Sequence, residues 1–118
     1  MSRSAVTIYH NPRCSKSRQA LQLLRDASVE PTIVEYLNDP PTAETLDGLV
    51  KKLGIQPDEL FRKKEALFKE LGLVGKDLSR DEALQTLAAN PKLIERPIVV
   101  KGSKAVLGRP PENVNDLL

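Results

Sequence analysis

The hydrophobic patterns of this chain predict an α/β fold: a four-stranded mixed sheet flanked by helices, with a helical insertion in the middle. Three observations carry that expectation. Two β-branched runs enclose a helix-period run within the first thirty-six residues. Helical periodicity then fills the middle of the chain. Two short apolar runs around a glycine turn, followed by a proline-led helix, close it. The 118 residues are enough for one domain that buries about two thirds of its chain surface without disulfides or metals. We expect a core of about residues 4–40 and 92–118 and an insertion of about 41–91.

Ala5 to Tyr9 (Ala-Val-Thr-Ile-Tyr) is rich in β-branched residues and runs into Asn11-Pro12, a buried strand followed by a turn. A helix is expected to open at Cys14, with Ala20, Leu21, Leu24 and Ala27 on its buried face. Thr32 to Tyr36 reads as a second strand, closed by Asn38-Asp39-Pro40-Pro41. Strand, helix and strand over so short a stretch form a βαβ unit, whose strands should be parallel.

Thr42 can cap a helix bearing Leu46, Leu49, Val50 and Leu53, with Gly54 as its stop. Pro57 stands where a helical turn would begin, with Asp58 and Glu59 at the favourable end of the dipole. After the basic Arg62-Lys63-Lys64, a short helix should run through Leu71 to Gly72. Ser79 and Glu82 make a capping box ahead of Ala83, Leu84, Leu87 and Ala88. Pro97 to Val100 is a strand, Lys101-Gly102-Ser103 a hairpin turn and Lys104 to Leu107 the returning strand. Pro110-Pro111 starts a last helix with Val114, Leu117 and Leu118.

Composition excludes several functions. A net charge of +2, with two Tyr and two Phe, does not suit general nucleic-acid binding. One Cys and one His cannot assemble a zinc site of Cys and His ligands, so no metal is expected. The start Met1-Ser2-Arg3-Ser4 leads straight into a strand, with no signal-peptide core and no membrane-spanning apolar run. A free thiol in this setting fits the reducing cytoplasm.

That thiol, Cys14, is the first candidate for chemistry. A lone cysteine at a helix start is often buried and inert. Here Arg13, Lys16 and Arg18 surround it, and the unpaired N–H groups of a helix N-terminus face it. Both favour the thiolate; an ordinary thiol, with a pKa of about 8.5, is only roughly 3% ionised at pH 7. An oxyanion bound there would call for arginines, whose planar forks match its oxygens. Arg62, Arg96 and Arg109 each stand beside a turn or strand start, although spacing alone does not bring them together.

The run His10-Asn11-Pro12-x-Cys14-x-x-Ser17-Arg18, with Arg96-Pro97-Ile98-Val99-Val100 and Gly108-Arg109-Pro110, resembles the glutaredoxin-coupled arsenate reductases. Glu30-Pro31-Thr32-Ile33, Tyr36-Leu37 and Leu60-Phe61-Arg62-Lys63 extend the resemblance over nearly the whole chain. It implies a thioredoxin-like fold, with Cys14 as the cysteine that attacks arsenate and forms a thioester-like adduct. It implies that Arg62, Arg96 and Arg109 hold the oxyanion, while His10 and Ser17 keep the thiolate ionised or oriented. Arg18 would support the motif, and Pro97 would be a cis-proline opposite the cysteine. Between Cys14 and Ser17 the chain carries Ser15-Lys16 where the well-studied reductases have Gly-Thr, and Lys63 replaces Asn. The missing glycine could change the loop backbone.

Reduction of arsenate takes two electrons, and a single cysteine cannot close an internal disulfide. The resemblance supplies the partners: glutathione as co-substrate and glutaredoxin as resolving thiol, with no bound cofactor. A phosphatase loop would need Arg at position 20, which is Ala20, and a dithiol oxidoreductase would need Cys at position 17, which is Ser17. A thiol oxidoreductase of another substrate stays open as an alternative. So do the Spx-type regulators that bind RNA polymerase, which share the fold and the Arg-Pro-Ile signature. Their usual Cys-x-x-Cys is absent here.

Overall fold

In a computed structural model, which describes residues 5–118, the chain forms two compact units. The first holds the described residues up to Asp39 together with Arg96–Leu118, and the second is Pro40–Glu95.

The first unit is built on one four-stranded sheet. Its strands are β1 (Val6–Tyr9), β2 (Thr32–Val34), β3 (Ile98–Lys101) and β4 (Lys104–Leu107), in the order β2-β1-β3-β4. β1 is parallel to β2 and antiparallel to β3, and β3 is antiparallel to β4, so the sheet is mixed as expected. The register pairs Ile8 with Ile33 on one side and with Val99 on the other. Helix α1 (Ser15–Asp26) and a 3-10 segment, Pro111–Leu117, complete the unit. Val6 and Ile8 from β1, Ala20, Leu21 and Leu24 from α1, Val99, Val114 and Leu117 form one buried cluster. Period two in the strands and three-to-four in the helix aim these residues at the same interior.

Several boundaries differ from the expectation. β2 stops at Val34, because the Glu35 carbonyl accepts the N–H groups of Asn38 and Asp39 (2.9 Å each) and turns the chain out of the ladder. Tyr36 is fully buried all the same. Cys14 is not inside α1 but is its N-cap, with extended backbone. Ala27 is the exposed C-cap, one position past the end of α1 and outside its buried stripe. Lys101 belongs to β3 and pairs with Lys104, leaving a two-residue turn, Gly102-Ser103, with Gly102 at φ 61°. The last helix is 3-10 rather than α. Asn113 Nδ2 reaches back to the carbonyls of Leu107 (3.0 Å) and Arg109 (3.3 Å), and Leu118 is left exposed. The expected core began at position 4, which lies outside the described residues.

The second unit holds α2 (Ala43–Leu53), α3 (Ala66–Glu70) and α4 (Arg80–Ala89), with 3-10 turns at Pro57–Leu60 and Pro91–Leu93. Its local signals act as expected. Thr42 Oγ1 accepts the Thr45 N–H, Gly54 closes α2 in the left-handed region, and Ser79 with Glu82 forms a reciprocal capping box. Asp47 on α2 pairs with Arg80 on α4 and with Lys51. A one-residue bridge, Phe61 to Ile94, is flanked by bonds from Arg62 N–H to Leu93 O and from Glu95 N–H to Leu60 O (2.7 Å each). Phe61 and Phe68 meet edge to face at 5.5 Å.

Candidate active site

The segment between β1 and α1 is held by a set of local hydrogen bonds. His10 N–H continues the sheet by donating to Val34 O at 2.8 Å. The Cys14 N–H donates to Asn11 O at 3.0 Å, closing a tight turn over Pro12 and Arg13. Asn11 Oδ1 accepts the Arg13 N–H (3.0 Å), the local bond for which Asn is favoured in turns. The buried Ser17 hydroxyl accepts the Asn11 N–H (3.0 Å) and shares a 2.6 Å hydrogen bond with His10 Nδ1. Arg18 Nη1 donates to Pro12 O at 2.9 Å, so it braces the turn instead of pairing with a surface carboxylate. Ser15 is the first residue of α1, and the only non-glycine residue at positive φ among the described residues is Ser28. The loop therefore needs no glycine at position 15.

Cys14 stands at the end of this turn, partly accessible. Burial pushes its thiol pKa up, but the backbone N–H groups of Ser17 and Lys16 and the guanidinium of Arg96 outweigh burial and hold it below the usual value. A neutral thiol is a weak acceptor and closes no cap bond with α1. The thiolate is the species those donors stabilise. The sequence suggested that the neighbouring side chains Arg13, Lys16 and Arg18 would supply the positive charge. The cation that acts instead is Arg96, brought alongside from the start of β3, and Lys16 contributes through its backbone.

His10 reaches Ser17 from the end of β1. It is 6% exposed, and its burial, aided by the charges of Arg25 and Arg18 and opposed by Glu35, lowers its pKa. A histidine shifted this way is neutral at pH 7, so it does not depress the thiol pKa as an imidazolium would. Its visible work is to hold Ser17.

Pro97 follows Arg96 through a cis peptide bond, and Pro110 follows Arg109 through a second one that the sequence did not announce. Gly108 N–H donates to Pro97 O at 2.9 Å. A Cβ at Gly108 would lie 2.7 Å from Pro97 Cγ and 3.2 Å from Ala20 Cβ. Glycine is thus required where β4 ends against Pro97 and α1, a role that only the tertiary contact reveals. Arg109 is exposed one residue beyond. Arg62 lies in the second unit, where Glu65 pairs with it at 3.2 Å and Lys92 O accepts from Nη1 at 3.4 Å. Among the described residues no group of three His, Cys, Asp or Glu could hold a metal ion, and no helix is long and apolar enough to cross a membrane.

A mixed four-stranded sheet with a free cysteine at the N-cap of its first helix and a cis-proline just before β3 defines a thioredoxin-like fold. Residues 9–117 match the sequence model of the ArsC family, and the chain belongs to that family. It is 53% identical to the uncharacterized protein YfgD of Escherichia coli K12 over 114 residues, 96% of each chain. It is 44% identical to an arsenate reductase of Neisseria meningitidis over 114 residues, 96% of this chain and 97% of the other. A solved arsenate reductase from Vibrio cholerae superposes with a TM-score of 0.94 at 45% identity, covering 99% of this chain and all of that one.

Proposed function

We propose that the protein reduces arsenate to arsenite, using Cys14 as nucleophile and two external thiols, from glutathione and glutaredoxin, as the source of electrons. Relatives named arsenate reductases, alike over almost their full length, support the activity. The observation that supports the mechanism is the setting of the Cys14 sulfur, where two backbone amides and Arg96 lower the thiol pKa and so favour the thiolate. The thiolate displaces one arsenate oxygen, which leaves as water, and an S–As(V) bond forms. Glutathione replaces a second oxygen, again releasing water. The glutaredoxin thiolate then attacks the glutathione sulfur, so a mixed disulfide departs and its electron pair stays on arsenic as As(III). Water cleaves the remaining S–As bond, releasing arsenite and restoring Cys14. Overall, arsenate and two thiols give arsenite, one disulfide and one water.

In this reading Arg62, Arg96 and Arg109 neutralise the oxyanion, and His10, Ser17 and Arg18 keep the turn rigid so that the sulfur is preorganised. Such chemistry suits the reducing cytoplasm, where we place the protein. The test is arsenate-dependent turnover with glutathione and glutaredoxin by wild type and by Cys14→Ser. Turnover confined to wild type supports the proposal. Equal turnover by the variant, or turnover with thioredoxin as sole reductant, overturns it. Absent turnover together with affinity for RNA polymerase would assign the protein to the regulators instead.

A further inference from the structure

Beside the active-site turn lies a cavity of about 370 Å³, lined by residues 10–13 and by Glu35, Leu37 and Asn38. We propose that it binds the small thiol that attacks the arsenic adduct, a molecule bearing both carboxylate and ammonium groups, as glutathione does. The inference rests on the preceding reading that an external thiol is consumed.

Position is the first argument. β1 and β2 are parallel, so the segments that follow them emerge at the same end of the sheet, where α/β folds place ligands. The cavity lies between those two segments. Three of its lining residues, Asn11, Pro12 and Arg13, form the turn whose closing bond runs from Cys14 N–H to Asn11 O. The ends of such a turn are within about 7 Å of one another. A thiol held against the turn is therefore within a short side chain's length of the Cys14 backbone.

Size and chemistry agree. Small-ligand pockets usually span about 300–1,000 Å³, and this one is at the small end. Arg13 lines it from one segment and has no ion pair among the described residues. Glu35 lines it from the other, and its carboxylate accepts one long bond from Asn38 Nδ2 (3.3 Å). Leu37, 41% exposed, offers an apolar surface for methylene groups. One cation and one anion across a partly apolar cavity suit a ligand that carries both signs. With Arg13 and Glu35 balancing one another, the cavity favours a ligand of mixed charge over an arsenate dianion.

S-methylglutathione is a probe that keeps every charged group but cannot react. Titrated into the protein and followed by amide NMR, it should shift residues 10, 11, 13 and 35–38, and Arg13→Ala and Glu35→Ala should each raise the Kd read from those shifts about tenfold. In steady-state turnover the same variants should raise KM for glutathione about tenfold, in line with a lost charge-assisted bond, with KM for arsenate unchanged. Shifts elsewhere, no shifts, or an effect only on KM for glutaredoxin would each overturn the proposal. The titration needs no arsenate, so it fails or succeeds independently of the reductase activity.

Discussion

Replacing Ser17 by alanine separates two roles that a site hydroxyl could play. The side chain is fully buried, and its Oγ serves both His10 Nδ1 at 2.6 Å and Asn11 N–H at 3.0 Å. Alanine leaves both groups without that partner. Each buried polar group so stranded costs about 1–3 kcal/mol, so the two together cost about 2–6 kcal/mol. Against a usual domain stability of about 5–15 kcal/mol, that is a large fraction. At about 4 °C per kcal/mol for a chain of this size, Tm should fall by about 8–24 °C. The thiolate behaves differently. Its stabilisation comes from the Ser17 backbone N–H, not from the hydroxyl. Urea denaturation should therefore show the loss, while an ultraviolet titration of the Cys14 thiolate should follow wild type wherever the variant is folded. A Ser17→Ala protein of unchanged stability but raised thiol pKa would refute the argument, placing the hydroxyl on the sulfur.

Arg96→Ala acts on the sulfur instead. The thiolate is the reactive form and is lost below its folded pKa, so removing the cation raises that pKa. The acid limb of the pH–rate profile should move to higher pH, and an unmoved limb would exclude Arg96 from thiolate stabilisation. His10 titrates below its ordinary 6.5 in the folded protein, so the unfolded chain takes up its proton first. Stability from this group is complete above about 6.5 and declines as pH falls toward the lower folded value, a slope that His10→Gln should flatten in urea midpoints measured across that range. Gly108→Ala should cost about 1–3 kcal/mol by forcing a Cβ against Pro97, read as a lower urea midpoint at constant m-value.

What could be read without coordinates was local or categorical. Thr42, Gly54, Ser79 and Glu82 act on backbone groups within one helical turn, so their types and spacing were sufficient to place caps and stops. The alternation of patterns was enough for a mixed sheet, and a single cysteine was enough to exclude an internal disulfide. Contacts across the fold were decided by tertiary structure. Which cation faces Cys14 depends on β3 pairing beside β1, and that pairing puts Arg96 at the sulfur while leaving Arg13 and Lys16 exposed. The resemblance gave Ser17 a role at the thiolate. In the folded chain it holds His10 and Asn11, because burying the end of β1 left two polar groups in need of one oxygen. Gly108 stood in a recognisable motif, but its steric role was legible only once Pro97 and Ala20 were packed against it. Charge, hydrogen-bond capacity and helix-capping habit belong to each residue and its neighbours. Electrostatic strength and steric necessity depend on distance through space, which folding alone sets.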